Sequence, residues 1–197
     1  MSRETEKLLK ELQRFLDSNA DETVDETTVN ALAEQFLAEY DQKCADQKDF
    51  VPETADDYLS LAEQAPSKKK HMEYLRKALE LEPDNLDARL QMITCTTERH
   101  LDEQRFALQE LLELAEQQME EAGAFKKYSG QFWTAIETRP CMRVRYTYFD
   151  VLISCGMMRQ AISEGQRLLE LCKSDNLGVR YQMMHFIIHT ALVWQFT

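Results

Sequence analysis

Residues that interrupt helices are scarce in this chain. Its 197 residues include only five glycines and four prolines, and runs of β-branched residues are few. Both shortages argue against a sheet protein, which needs frequent turns between β-rich segments. The chain has instead a hydrophobic content of 44% and a charged fraction of 29%. That balance is typical of helices with one buried and one exposed face, so we predict an all-α protein.

Several signatures of function are also missing. Residues 1–13 contain no apolar core of a signal peptide, and no apolar run is long enough to span a bilayer. The scattered glycines form no phosphate-binding loop, and no serine lies in a nucleophile elbow. His185 and His189 lie four residues apart, but without an intervening glutamate they are better explained as packing residues than as metal ligands. We therefore expect no enzyme, no cofactor, no metal and no membrane span.

The cysteines indicate the cellular compartment, and the charges indicate the kind of partner. The five cysteines are widely spaced and form no CxxC pair, which favours a reduced, cytoplasmic protein. Residues 1–65 carry 17 acidic and 6 basic side chains, whereas residues 123–197 carry 5 and 9. A net charge of −12 argues against nucleic acid, because phosphates require a basic surface. The basic C-terminal third would instead suit an acidic segment of a protein partner.

Apolar residues recur at three- and four-residue spacing along most of the chain, which predicts about ten helices. The first should end near Asn19, and with a second helix over 29–44 it would form an N-terminal helical hairpin within 1–50. The later helices are expected over 52–65, 66–82, 86–100, 102–121, 130–137, 140–154, 158–173 and 177–195. Short connections between helices favour antiparallel neighbours, and hence a row of hairpins.

One stretch resembles the second helix of a tetratricopeptide repeat. The residues KHMEYLRKALELEPDNLDARL contain a small residue, Ala78, followed five positions later by Pro83. They define a 34-residue frame at 52–85, and a second frame at 142–175 has Ala161 at its small position. The resemblance implies a tetratricopeptide-like solenoid over 51–197, in which antiparallel hairpins form a right-handed α-α superhelix.

Two further runs, SGQFWTAIETRPCMRVRY and SDNLGVRYQMM, are similar to uncharacterised bacterial tetratricopeptide proteins and to the C-terminal part of the suppressor-of-tumorigenicity family. The positions that carry the similarity are Phe132, Trp133, Thr138, Arg139, Pro140, Met142, Arg143, Asn176, Gly178, Arg180 and Tyr181. The similarity covers roughly 69–184. It implies a fold for that part of the chain and no activity.

In the tetratricopeptide family, the second, fifth, ninth and twelfth positions of each first helix line a concave groove. In this chain those positions are Glu53, Asp56, Ser60 and Glu63 in the first frame, and Arg143, Tyr146, Asp150 and Ile153 in the second. Arg180 takes the fifth position of the next frame along the chain. The resemblance therefore implies a groove that is acidic at one end and basic at the other.

The basic end is the candidate partner-binding site. Arg143 and Arg180 would converge on one carboxylate, which a pair of guanidinium groups holds well. We hypothesise that Arg139, Arg143, Tyr146 and Arg180 bind an acidic side chain or a free C-terminus of a partner. The alternative is that these arginines cap helices or pair with acidic residues of the chain itself.

A non-catalytic scaffold or adaptor that binds another protein or peptide in the groove is the leading expectation for function. The alternative is a peptide-sensing regulatory protein in which ligand binding shifts the superhelix. The last helix is apolar almost all round, which suggests either a longer array of repeats or a homodimer. The candidate self-association residues are Phe186, Ile187, Val193 and Trp194.

Overall fold

The structure, a computed structural model, describes residues 3–19, 26–45, 51–97 and 100–185. Within these ranges the chain is helical with no regular strand, and one isolated bridge pairs Gln131 with Cys172. The helices are α1 (Arg3–Asn19), α2 (Glu26–Ala45), α3 (Ala55–Glu63), α4 (Lys68–Leu81), α5 (Leu86–Thr96), α6 (Leu101–Glu121), α7 (Ala124–Lys127), α8 (Arg139–Ser154) and α9 (Met158–Leu171). Residues 179–185 are also helical and are called α10. The prediction of an all-α protein is confirmed.

Side-chain caps determine where the middle helices begin. Helix α3 begins at Ala55 rather than at Pro52, because Thr54 and Asp57 form a reciprocal capping box. The Thr54 hydroxyl accepts from the Asp57 N–H at 3.2 Å, and the Asp57 carboxylate accepts from the Thr54 N–H at 2.9 Å. Asn85 caps α5 as predicted, by accepting from the Ala88 N–H at 3.0 Å.

Two predicted helices differ from the structure. Helix α5 ends at Thr96 rather than near residue 100. At this end the hydroxyls of Thr96 and Thr97 donate to carbonyls of the preceding turn. The α-helix predicted over 130–137 is absent, and only a short 3-10 helix forms at its end, at Ile136–Thr138. Gly130 has a φ of +75°, and its carbonyl accepts from the Lys173 N–H while the Phe132 N–H donates to Leu171. This segment therefore pairs with the end of α9 instead of coiling into a helix.

Two apolar clusters hold α3 to α10 together. The smaller cluster lies between α3 and α4, and it contains Leu59, Leu75 and Ala78. The larger cluster is built from α5, α6, α8 and α9 with their connections. Helix α5 belongs to both, since Ala88 packs in the smaller cluster and Leu90 in the larger one. It therefore joins the two halves of this body.

None of the described side chains of α1 and α2 belongs to either cluster. Every cluster member, including the partly buried side chains packed against it, comes from residues 55–183. Helices α1 and α2 contact each other through Phe15 and Phe36, whose ring centroids are 5.5 Å apart. In the described ranges no helix is long and apolar enough to cross a membrane. The superhelical arrangement of the hairpins stays a prediction.

Ala78, the small residue of the first frame, is fully buried where α3 and α4 pack together. We expect Ala78→Leu to lower the free energy of unfolding by about 1–3 kcal/mol, because the added carbons overpack a filled core. Glu80→Leu is the matched control, since Glu80 lies on the same helix and is exposed. Urea unfolding followed by circular dichroism measures both variants. Equal midpoints for the two variants would contradict close packing at Ala78.

Candidate functional site

One face of α1 carries three charged side chains that contact other helices. Glu6, Lys7 and Lys10 share this face because residues three and four apart are neighbours on a helix. Glu6 is 7% exposed, an unusually low value for a carboxylate on a terminal helix. Since none of the side chains of α1 that the structure describes belongs to either apolar cluster, these three residues account for much of its attachment.

Two arginines of α8 hold the Glu6 carboxylate. Arg139 and Arg143 lie one turn apart, at i and i+4, so both reach the same side of the helix. Arg139 Nη1 donates to Glu6 Oε1 at 3.1 Å, and Arg143 Nη1 donates to Glu6 Oε2 at 3.0 Å and to Oε1 at 3.2 Å. Hydrogen bonds between ionised groups are stronger than neutral ones, so this cluster is a firm contact between α1 and α8.

Arg143 has a second carboxylate on its other edge. Its Nε and Nη2 donate to Asp87 Oδ1 at 2.8 Å and Oδ2 at 2.7 Å, which is a bidentate pair. Burial alone would lower the pKa of Arg143, but the hydrogen bond to Asp87 and the charges of Asp87 and Glu6 raise it. One guanidinium thus joins α1, α5 and α8.

Arg139 also has further partners within α8 and the segment before it. Its Nε donates to the Trp133 carbonyl at 2.9 Å, and its guanidinium lies 5.7 Å from the centroid of the Trp133 ring. The distance fits a cation–π contact. These contacts orient Arg139 toward α1 independently of Glu6.

Two aspartates of α3 hold the lysines of α1. Lys10 Nζ lies 3.1 Å from Asp56 Oδ1, and Lys7 Nζ donates to Asp57 Oδ1. Burial alone would raise the pKa of Asp57. The hydrogen bond from Lys7, with those from the Thr54 and Glu53 N–H groups, lowers the pKa to about 2. The carboxylate is therefore ionised over the whole physiological range.

These contacts define the α1-binding surface, which consists of four residues of α3 and α8 that contact α1, together with Asp87 of α5, which pairs with Arg143. The five residues are Asp56, Asp57, Asp87, Arg139 and Arg143. The surface is acidic on α3 and α5 and basic on α8. The side chains of α1 carry the opposite charges. Glu6 lies at the two arginines, Lys7 at Asp57 and Lys10 at Asp56.

The four candidate partner-binding residues form two groups. Arg139 and Arg143 meet at Glu6. Tyr146 accepts from Gln182 Nε2 at 2.7 Å, and Arg180 Nη1 lies 3.6 Å from Asp175 Oδ2. Arg143 and Arg180 therefore do not converge on one carboxylate as we expected. Arg180 is instead held beside the aspartate that caps the start of α10.

Some predicted features lie outside the described residues. These are the self-association residues Phe186, Ile187, Val193 and Trp194, together with His189. The role of Arg139, Arg143, Tyr146 and Arg180 in binding a partner stays a prediction.

Sequence reasoning missed the α1 side of the site. The apolar face of α1 is clear in the sequence. The same pattern predicts that Glu6, Lys7 and Lys10 lie on the exposed face of that helix. Asp87 was missed because it is not one of the predicted groove positions of its hairpin. A usable signal existed in the charge order of α1, which is complementary to the acidic and basic ends predicted for the groove.

Other buried polar groups in the chain serve packing. Arg145 is 2% exposed, and it donates to Glu164 of α9 at 2.6 Å and to Glu116 of α6. The Cys141 thiol nearby is kept protonated, because burial raises its pKa to about 11 although the charge of Arg145 opposes this. Among the described residues there is no group of three side chains suited to hold a metal ion.

Comparison with known proteins gives no relative from which a role can be taken. No family model matches the chain, no curated protein matches it, and no solved structure matches its fold. The resemblances to tetratricopeptide proteins and to the suppressor-of-tumorigenicity family therefore stay predictions.

Lys7→Met should raise the pKa of Asp57 from about 2 toward its usual value, because it removes the hydrogen bond from Lys7 and keeps those from the backbone. A pKa below that of the unfolded chain means that ionised Asp57 stabilises the fold above about pH 4. This contribution disappears as the pH falls through 2, and it should be smaller in the variant. Carboxyl-carbon NMR titration measures the pKa, with the exposed Lys69→Met as control. An unchanged pKa in Lys7→Met would show that the contact is absent in solution.

Arg143→Met should lower the free energy of unfolding by about 3 kcal/mol, because it leaves two largely buried carboxylates without their shared cation. Adding Glu6→Gln and Asp87→Asn should restore part of the loss, since neutral amides cost less to bury. Chemical unfolding of the single and triple variants tests this. A single variant as stable as the wild type would mean that Arg143 contributes nothing to the docking of α1.

Proposed function

We propose that this protein is a non-catalytic protein–protein interaction module, a scaffold or adaptor, which binds a helical segment on its α1-binding surface. The observation that carries the proposal is that charged residues of α3 and α8 bind one amphipathic helix, while Asp87 of α5 holds Arg143 in place. Recognition of a helix by a surface built from several others is a common mode of peptide binding. The tetratricopeptide resemblance supports the same view, by analogy of fold only.

The charges of the surface suit selective recognition. Asp56 and Asp57 lie on α3, Arg139 and Arg143 lie on α8, and Asp87 lies on α5 between them in sequence. Complementary charges select a partner and its orientation more than they add affinity. At the basic end, an acidic side chain or a free C-terminus of the partner would take the place that Glu6 occupies.

The second candidate function is a peptide-sensing regulator. It is favoured by one observation, which is that the surface is already occupied by a helix of the same chain. A ligand that binds there would release α1 and with it the hairpin of α1 and α2. In both candidates, a partner that binds this surface displaces α1, but only in the regulator does the released hairpin have an effect of its own.

Charge reversal at Asp56 tests the surface. Asp56 is the most accessible of the five residues, with 25% of its side chain exposed, so Asp56→Lys should leave the fold intact. The tagged full chain is used to capture partner proteins from lysate. We expect the amount recovered to change at least about fivefold, which corresponds to about 1 kcal/mol of binding free energy. Glu80→Lys makes the same charge change on the exposed part of α4 and should change nothing. Recovery is measured by quantitative mass spectrometry. Identical recovery with both variants would exclude the α1-binding surface as the site that binds partners.

A further inference from the structure

We infer that α1 is a displaceable intramolecular ligand of its surface, and that the partner replacing it is an amphipathic helix with the charge order Glu–Lys–x–x–Lys. The inference rests on the proposed function, because it specifies which helix the same surface binds. Three observations carry it, and they concern the attachment of α1, the order left without α1, and the arrangement of charges.

The described side chains that attach α1 to the body are largely charged. Among the side chains that the structure describes, none from α1 or α2 belongs to either apolar cluster, whereas Phe15 of α1 packs against Phe36 of α2. Ion pairs of Glu6, Lys7 and Lys10 join α1 to α3 and α8, and α1 also approaches the turn at Ile136–Thr138. A helix held in this way can leave without opening a hydrophobic core. Its ion pairs can be remade by another helix with the same charges.

The surface keeps most of its own order without α1. Arg143 retains the bidentate pair with Asp87, and Arg139 retains the Trp133 carbonyl. The Asp57 carboxylate still accepts from the Thr54 N–H at 2.9 Å and the Glu53 N–H at 3.0 Å. These contacts lie within the body formed by α3 to α10. The side chains are therefore positioned in advance for a ligand, which lowers the entropy lost on binding.

The charges of the surface specify the sequence of the ligand. Arg139 and Arg143 require an acid at the position of Glu6, and Asp57 requires a cation at the next position. Asp56 requires a second cation one turn after the acid and three residues after the first cation. A uniformly acidic segment would satisfy the arginines and be repelled by the aspartates. This charge order defines the ligand more narrowly than the sequence does, which predicts only a partner with an acidic segment.

The tether sets how strongly a ligand must compete. Helix α1 is joined to the body through residues 20–54, which include α2, and a tether within one chain gives an effective concentration on the order of millimolar. A free peptide with the same contacts will therefore bind weakly to the resting protein. It will bind well once the charges of α1 itself are reversed.

The test uses a fluorescent synthetic peptide with the sequence of residues 3–19 and the full-length protein. We expect the Lys7→Glu/Lys10→Glu protein to bind this peptide at least about tenfold more tightly than the wild type, a ratio that corresponds to about 1.4 kcal/mol. A peptide with the same two reversals should not bind either protein. Fluorescence anisotropy gives the dissociation constants, and circular dichroism verifies that the variants are folded.

Two further variants make the result specific. Lys68→Glu/Lys69→Glu makes the same charge change on the exposed start of α4 and should bind the peptide as weakly as the wild type. Lys10→Glu combined with Asp56→Lys restores an opposite-charge pair, so it should bind less tightly than Lys10→Glu alone. The single reversal also replaces the double one if the double variant does not fold.

The inference is overturned if wild type and reversed protein bind the peptide equally, or if neither binds it at about 1 mM, the effective concentration of the tether. It is also overturned if the charge-reversed peptide binds as well as the original. If these measurements fail while Asp56→Lys still changes partner recovery, the interaction module stands and α1 is not its ligand. If Asp56→Lys also has no effect, both proposals fall.

Discussion

The guanidinium of Arg143 lies between two carboxylates that come from distant parts of the chain. Glu6 approaches from α1 and Asp87 from α5, both within 3.2 Å of a donor nitrogen. Removing two carboxylates from water is costly, and only a cation placed between them offsets that cost. The position of α1, the start of α5 and one face of α8 all depend on this arrangement. Arg143 therefore links the N-terminal helix to two helices of the body at once.

The chain uses apolar burial and buried charge for different tasks. Apolar side chains from residues 55–183 join α3 to α10 into one body. Charged side chains attach α1 to that body. Apolar packing is insensitive to which particular residue approaches, whereas an ion pair accepts only the opposite sign. An attachment made of ion pairs is therefore selective and replaceable, as an interaction surface requires.

Much of the fold could be predicted from the sequence, because its signals are local. Asn85 and Pro140 mark helix starts from within a few residues, and the periodic apolar residues of α1 and α6 mark helix faces. The segment 130–137 was predicted wrongly because its conformation is set by pairing with Leu171 and Lys173, some 40 residues later. Of the residues of the site, Asp56 and Arg143 are groove positions that the resemblance implies, whereas Asp57 and Asp87 are not. That Glu6 would meet Arg139 could not be predicted, since nothing local to either residue indicates a contact across 133 positions of sequence.

The arginines of α8 contact two different parts of the protein. Arg139 and Arg143 face α1, while Arg145, two residues further along, faces Glu116 of α6 and Glu164 of α9. Two residues of an α-helix turn through about 200°, so these side chains project to nearly opposite sides. Any rotation of α8 about its own axis that accompanies the loss of Glu6 must also move Arg145. The ion pairs of Arg145 with Glu116 and Glu164 therefore oppose such a rotation, and they keep Arg139 and Arg143 facing the α1-binding surface when α1 leaves it.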